Sequence, residues 1–199
     1  MRIDPEELSK LEAYRLMTSV IVPRPVAWVG TQSAEGESNL APFSFFNGVS
    51  TQPPIVSISV SRGRGGVLKD TARNILESKQ LSISVVTEQD LEARHASSAS
   101  YAPGESEFEV LGIEESWCTA VQAPRPAKAT VVLECELHQA IDLESTHLFL
   151  ARVLAYDIQE ELLVEGSVEP QRLKPVGRLG GSYAALGELR ELPRARRRE

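Results

Sequence analysis

Alternation of apolar and hydroxyl side chains with a period of two is the feature that most restricts the fold of this chain. Residues 55–61 read Ile-Val-Ser-Ile-Ser-Val-Ser, and residues 81–86 read Leu-Ser-Ile-Ser-Val-Val. Because successive side chains of a β-strand point to opposite faces, each run predicts a strand with one buried face. Further strands are predicted at 26–31 and 38–46, as a hairpin, and at 130–141 and 147–156.

Helices are predicted in only a few places between these strands. Asp4, Pro5 and Glu7 predict a helix that starts at Pro5 and runs to about residue 15. Two more helices are predicted at 71–78 and 91–97, and a loop after residue 46 is predicted to end at the prolines 53 and 54. Since strands outnumber helices without a regular β-α-β alternation, the pattern favours a mainly antiparallel barrel with peripheral helices over a doubly wound sheet.

Composition indicates one globular domain in a reducing compartment. The chain has 199 residues, of which 42% are hydrophobic and 25% charged, so it can form a core without disulfides. Its net charge is −7, and the five arginines and two glutamates of 190–199 leave −10 on the rest, which argues against a nucleic-acid partner. The two cysteines, Cys118 and Cys135, are predicted to be structural thiols, as is typical of a reducing compartment. Neither a secretion signal nor a membrane-spanning run is visible in the sequence. A cytoplasmic protein with a solvated, charged tail at 186–199 is expected.

A search for self-contained catalytic motifs finds none. The nearest dinucleotide-binding pattern, at 63–66, has Leu68 where its last glycine should stand. The histidines His95, His138 and His147 lie far apart in the chain, and the last two are predicted to face solvent on strands. No metal site is therefore expected.

Two segments have the composition of a ligand-binding surface. Residues 39–50 mix amides, hydroxyls and aromatic rings, which can hold a flat heteroaromatic ring. About 20 residues further on, hydroxyl and cationic side chains stand at a strand end and a helix start, where phosphates bind. Together they fit a mononucleotide such as FMN, whereas the alternative for each is structural: a barrel strand with a polar loop, and a capped helix beside a basic turn.

Several short motifs resemble those of the flavin reductase-like, FMN-binding split-barrel proteins, in particular the flavoredoxin-type branch. The motifs are PRPVAWV at 23–29, NLAPFSFFN at 39–47, PP at 53–54, KDTARNI at 69–75, YAPG at 101–104 with EFE at 107–109, and PVGRLGGSY at 175–183. The resemblance covers residues 12–185, which are taken as the FMN-binding domain.

The resemblance implies a six-stranded antiparallel Greek-key split barrel that forms a homodimer with FMN at the subunit interface. It implies that one segment holds the isoalloxazine ring largely through backbone groups, with side-chain hydrogen bonds from Ser44 and Asn47. The residues assigned to the ring are Asn39, Leu40, Ala41, Pro42, Phe43, Ser44, Phe45 and Asn47. The resemblance assigns to the phosphate and ribityl end Ser59, Val60, Ser61, Arg62, Lys69 and Thr71, with Thr31 as a further contributor. Arg178 and Tyr183 are expected to approach the flavin or a nicotinamide stacked on it.

The implied activity is that of an NAD(P)H-dependent flavin oxidoreductase, which passes a hydride from NADH or NADPH to FMN and electrons onward to an acceptor such as a redox partner protein. Because the flavin carries the chemistry, no catalytic residue is expected. The alternative is a non-enzymatic, FMN-dependent electron carrier or FMN-binding module. A third reading is a module for another ring-plus-phosphate ligand, such as a deazaflavin or pyridoxal phosphate.

Overall fold

The computed structural model describes residues 1–102, 104–190 and 192. Its α-helices are α1 (Lys10–Val20), α2 (Asp70–Ser78), α3 (Leu91–Ala96), α4 (Glu107–Val110) and α5 (Pro170–Leu173). Short 3-10 helices span Pro5–Glu7, Arg64–Gly66, Glu88–Asp90 and Glu160–Leu162. Over these residues, no helix has the length and apolar character needed to cross a membrane.

The amino-terminal helix differs from the prediction. Asp4 caps only the short 3-10 helix, and α1 begins at Lys10. Ser9 and Glu12 form a capping box, in which the Ser9 amide donates to the Glu12 carboxylate at 2.9 Å and the Glu12 amide donates to the Ser9 hydroxyl at 3.3 Å. This capping box starts a new helix at Lys10. The structure therefore has a short 3-10 helix followed by α1 where the sequence predicted one continuous helix.

The described residues form fourteen strands. They are β1 (Arg24–Pro25), β2 (Ala27–Gln32), β3 (Ser38–Phe43), β4 (Phe46–Thr51), β5 (Pro54–Ser61), β6 (Gln80–Val85), β7 (Glu115–Trp117), β8 (Pro124–Pro126), β9 (Val131–Asp142), β10 (Thr146–Ile158), β11 (Leu163–Val164), β12 (Ser167–Val168), β13 (Gly177–Leu179) and β14 (Ser182–Ala184). The large sheet has the order β3-β2-β6-β9-β10-β5-β4 and is antiparallel throughout.

The connection between β3 and β4 shows that this sheet is curled. The two strands stand at opposite ends of the order, which in a flat sheet would put them about 29 Å apart. Only Ser44 and Phe45 join them, so the ends of the two strands lie within about 11 Å. The Ser59 amide of β5 donates to the Phe45 carbonyl at 2.9 Å, which fixes the connection to the sheet. The expected mainly β, antiparallel split barrel is therefore confirmed.

The sheet has seven strands where six were expected. Residues 38–46, predicted as one strand, break at Ser44 and Phe45, and the predicted loop that follows is strand β4. Asn47 and Gly48 are residues typical of turns, but β4 accommodates them through a register shift between Gly48 and Ser50 against β5.

Two apolar clusters fill the molecule. The first lies inside the barrel, where α2 closes one end, and its fully buried members include Ile58, Ile75, Ile83 and Phe149. The second lies outside β2 and β3 and is formed by Val26, Trp28, Leu40, Val86, Phe108 and Val176. This second cluster fixes α4 beside β3 and so determines the position of the site described below.

The prediction that His147 faces solvent is wrong. His147 is buried and stacks on Phe149 with ring centroids 5.8 Å apart, because the two residues lie on the same inward face of β10. His95 and His138 are exposed, as expected. Of the predicted tail, residues 186–190 and 192 are exposed and outside helices and strands, while 191 and 193–199 lie outside the described residues.

Candidate cofactor-binding site

A cleft lies between strand β3, the start of α2, residues 97–101 and α4. Its volume is about 380 Å³, which is within the range of small-molecule sites. It brings together six of the predicted site residues, namely Asn39, Ala41, Pro42, Phe43, Lys69 and Thr71. The phosphate-binding and ring-binding segments predicted from sequence thus face one cleft.

Strand β3 exposes one edge to this cleft. Among the described strands β3 pairs only with β2, and Pro42 has no backbone N–H to offer a further strand. The buried Glu107 carboxylate of α4 accepts a hydrogen bond from the outward Leu40 amide at 2.8 Å. Burial raises the pKa of Glu107, and the nearby Asp70 carboxylate raises it further against the backbone hydrogen bonds that lower it. Through this hydrogen bond Glu107 holds the edge of β3 in place, and no ion pair among the described residues includes it.

A buried amide and hydroxyl network forms one wall of the cleft. The Asn39 side-chain amide donates to the Thr71 hydroxyl at 3.0 Å and to the Thr31 hydroxyl at 3.3 Å. Asn74 of α2 donates to the same Thr31 hydroxyl at 3.1 Å. Because the Thr71 oxygen accepts from Asn39, its own proton remains available to a ligand. Thr31 is fully buried and acts through Asn39 and Asn74.

The start of α2 has the features of an anion site. Lys69 is exposed at the N-cap position, and no side chain accepts a hydrogen bond from the amides of the first turn. Asp70, in that turn, is paired with Arg73. A helix of nine residues thus presents free amides and a lysine to the cleft.

The remaining predicted phosphate-end residues occupy the end of β5. Val60 is buried in the core, Ser59 is half-buried and Ser61 is exposed. The Arg62 guanidinium donates to the Asp142 carboxylate at 2.8 Å, to the Glu144 carbonyl at 2.9 Å and to the Gly66 carbonyl at 3.2 Å. In this structure Arg62 holds the glycine-rich turn that leads to α2.

The ring-end residues divide into two groups. Ser44 and Phe45 adjoin Arg24, whose Nε donates to the Ser44 hydroxyl at 3.4 Å and whose guanidinium carbon lies 5.8 Å from the Phe45 ring centroid. Asn47 is exposed on β4, where its side-chain oxygen accepts from the Gly48 amide at 2.9 Å. Asn47 does not line the cleft of a single chain.

Arg178 and Tyr183 face each other across the hairpin of β13 and β14, and Arg178 pairs with Arg24 of β1. The Tyr183 ring lies between two guanidinium carbons, 4.3 Å from that of Arg178 and 5.0 Å from that of Arg94. Sequence reasoning did not single out Arg24, Asn74, Arg94 or Glu107. All but Arg94 lie within the motifs quoted above, whereas nothing in the sequence marks Arg94.

A larger cavity of about 570 Å³ lies elsewhere, lined by Thr87, Thr130, Gln159, Arg172 and Lys174 among others. None of the predicted site residues lines it, and its walls lack the free helix start and exposed strand edge of the cleft beside β3. We therefore take the smaller cleft as the candidate site.

The flavin reductase like domain model matches residues 17–171. The chain belongs to this flavin reductase-like family. Nitrilotriacetate monooxygenase component B from Bacillus cereus is 35% identical, with a TM-score of 0.92 over 96% of this chain and 98% of that one. Pseudomonas fluorescens 2-nitrobenzoate 2-nitroreductase is 30% identical, with a TM-score of 0.88 over 97% and 95% of the two chains.

A protein with a split barrel domain from Shewanella frigidimarina shares the fold at 21% identity, with a TM-score of 0.84 over 98% of this chain and all of that one. The split barrel expected from the sequence motifs is thus the fold of this flavin reductase-like chain.

Proposed function

We propose that the protein binds FMN in the cleft beside β3 and works as an NAD(P)H-dependent flavin oxidoreductase. The observation that carries the proposal is the junction of an exposed strand edge, Asn39–Phe43, with the uncapped start of α2 and Lys69 in one cleft. A flat ring suits the first and a phosphate suits the second. The family of the chain and its monooxygenase-component and nitroreductase relatives support a redox role.

The residues present fit the cofactor at both ends. The phosphate would meet the first-turn amides of α2, the Lys69 ammonium and the free proton of Thr71. The ring would lie along β3 and the Ser44–Phe45 connection, with Ser44 oriented by Arg24. Bound FMN supplies the hydride-accepting chemistry, so the protein residues are required to bind, orient and exclude water. Ser59, Ser61 and Arg62 would support the phosphate end, and Asn47 the ring.

A homodimer with FMN at its interface is part of the proposal. Helix α1 exposes apolar side chains in a continuous patch, with Tyr14, Met17, Val20 and Ile21 each more than half exposed. Val49 on β4, next to Asn47, is 55% exposed. We expect a second copy of the chain to bury this apolar surface in a dimer interface. Such a copy would also close over Asn47, which is remote from the cleft of its own chain.

We further propose a cytoplasmic location, in keeping with two unpaired cysteines. Burial raises the pKa of both Cys118 and Cys135 to about 12, and nearby Glu134 adds to this effect. Thiols of this kind are protonated and unreactive at neutral pH. They are structural, as the sequence suggested, and take no part in the proposed reaction.

The proposed activity is tested by mixing the FMN-loaded protein with NADH or NADPH in the absence of oxygen. We expect the visible flavin band to bleach with saturation in the nicotinamide nucleotide, much faster than for free FMN in the same buffer. A holoprotein that dithionite bleaches but neither nucleotide does would contradict the reductase proposal and favour the electron-carrier alternative.

A further inference from the structure

A basic cluster at the ring end of the site lacks any carboxylate partner within the part of the chain that the structure describes. It consists of Arg24, Arg94, Arg178, His95 and Tyr183, contributed by β1, α3 and the β13–β14 hairpin. The ion pairs of the described residues include none of the three arginines.

Arg94 is the central observation. Its side chain is buried, with 5% of the residue exposed, yet among the described residues its guanidinium makes a hydrogen bond only to the Tyr183 hydroxyl, and its Nε has no partner there. A buried charge without a countercharge is costly, so proteins rarely retain one unless it binds something. The carboxyl end of the short α3 offers at most about half a negative charge.

The neighbouring cations increase the positive potential around Arg94, although Arg24 itself donates to the Thr18 and Ile21 carbonyls, each at 2.7 Å. Burial, with repulsion from Arg178, lowers the pKa of Arg94 to about 10. Burial likewise lowers the pKa of Arg178, where Tyr14 acts in the opposite direction and Arg24 in the same one. His95 is exposed at the mouth of the cluster, with its Nδ1 at 3.4 Å from the Tyr183 hydroxyl.

The position of the cluster relates it to the proposed cofactor. Arg24 contacts Ser44, which follows the last residue of β3, whereas Lys69 and Thr71 lie near Asn39 at the other end of that strand. Arg94 and His95 are on α3, and the segment that follows α3, residues 97–101, lines the cleft. A second ligand stacked on the flavin ring would thus meet the cluster and not Lys69.

We propose that Arg94, with Arg178 and Tyr183, forms an oxyanion site that receives the diphosphate of the nicotinamide nucleotide while its dihydronicotinamide ring rests on the flavin. This assignment rests on the proposed function and adds Arg94 to it as a substrate-binding residue. Two guanidinium groups about one tyrosine supply planar, charge-assisted donors suited to phosphate oxygens.

The direct test measures binding rather than turnover. The FMN-loaded protein is titrated calorimetrically with inorganic diphosphate, before and after the changes Arg94→Gln and Arg178→Gln. We expect saturable binding that each change weakens by about tenfold or more, the loss typical of one charge-assisted hydrogen bond. Arg152→Gln is the matched control, because it removes an exposed arginine that faces only Glu136. Arg178, which is only half-buried, keeps the test decisive if Arg94→Gln does not fold.

Steady-state kinetics supply the second arm. With NADH and the phosphate-free donor 1-benzyl-1,4-dihydronicotinamide as alternative reductants, both variants should lose at least about ten times more kcat/KM toward NADH than toward the benzyl compound. Equal losses for the two donors, or weaker FMN binding with intact diphosphate binding, would overturn the proposal. The proposal would also be overturned if the variants dimerise more weakly but still bind diphosphate, because Arg94 would then pair with a carboxylate of the partner subunit. If the protein binds diphosphate but neither NADH nor NADPH reduces its bound FMN, only the reductase function is rejected.

Discussion

Replacing Lys69 by alanine tests the phosphate end of the site. Lys69 stands exposed at the start of α2, has no ion-pair partner among the described residues, and faces the cleft. A charge-assisted hydrogen bond is worth about 1.5–3 kcal/mol, which corresponds to a roughly 10- to 150-fold change in Kd. Because Lys69 is exposed, solvent screening reduces this gain, and we expect FMN to bind about tenfold more weakly to Lys69→Ala.

The comparison with riboflavin makes the test specific. Riboflavin lacks the phosphate, so its Kd should change little in the same variant. Raising the ionic strength from about 0.1 M to about 1 M shortens the screening length from about 10 Å to about 3 Å and should narrow the difference between wild type and variant for FMN. Lys128→Ala removes an exposed lysine outside the cleft and serves as the control.

The measurement is quenching of flavin fluorescence during titration of the apoprotein. An equal loss of affinity for FMN and riboflavin would refute the placement of the phosphate at α2. Lys69 is preferred to Thr71 for this test, since Thr71→Ala would also remove the nearer of the two acceptors of the Asn39 amide.

Three further predictions concern stability and assembly. At a pH above the raised pKa of Glu107, Glu107→Gln should increase the free energy of unfolding, because burial disfavours the wild-type carboxylate. The difference between variant and wild type should shrink as the pH falls towards 4.5, and a difference in denaturant unfolding that does not change with pH would contradict this prediction. Gly30→Ala should lower Tm strongly, since the new Cβ would clash with the Pro124 carbonyl oxygen, whereas the Cβ of Gly48→Ala meets no atom within 4 Å; equal Tm values for the two variants would exclude this packing effect. Met17→Glu should shift the protein from dimer to monomer in light scattering, and a wild-type protein that is monomeric at micromolar concentration would reject the proposed dimer.

Sequence periodicity predicted most strands of the barrel but not how its ends meet. The run at 55–61 is β5, and it alternates because only one of its faces lies in the core. The run at 81–86 is β6, but the prediction of one buried face is wrong there, because Ser82 and Ser84 are buried too and the Ser82 hydroxyl donates to the Pro124 carbonyl of β8. Strand β4 lacks such alternation, since Asn47, Gly48 and Val49 are all exposed, so its pairing with β5 is visible only in three dimensions. His147 shows the same limitation, because a polar residue on the inward face of a strand carries no local signal of burial.

The site was partly predictable for a related reason. Asn39, Lys69 and Thr71 stood out because amides, cations and hydroxyls cluster near a strand edge and a helix start. Glu107 and Arg94 act through long-range contacts, with Leu40 and Tyr183 respectively, and a single sequence does not reveal which distant residues meet. Motif resemblance recovered the neighbourhood of Glu107 but assigned it no role.

A crystal structure of the FMN complex measures the location of the cofactor directly. We expect the phosphate within hydrogen-bonding distance of the Lys69 ammonium and the first-turn amides of α2, with the ring along Asn39–Phe43 towards Ser44. FMN seated instead in the larger cavity beside Thr87 and Lys174, or FMN with its own phosphate at Arg94 and Arg178, would contradict the placement of the cofactor at β3 and α2.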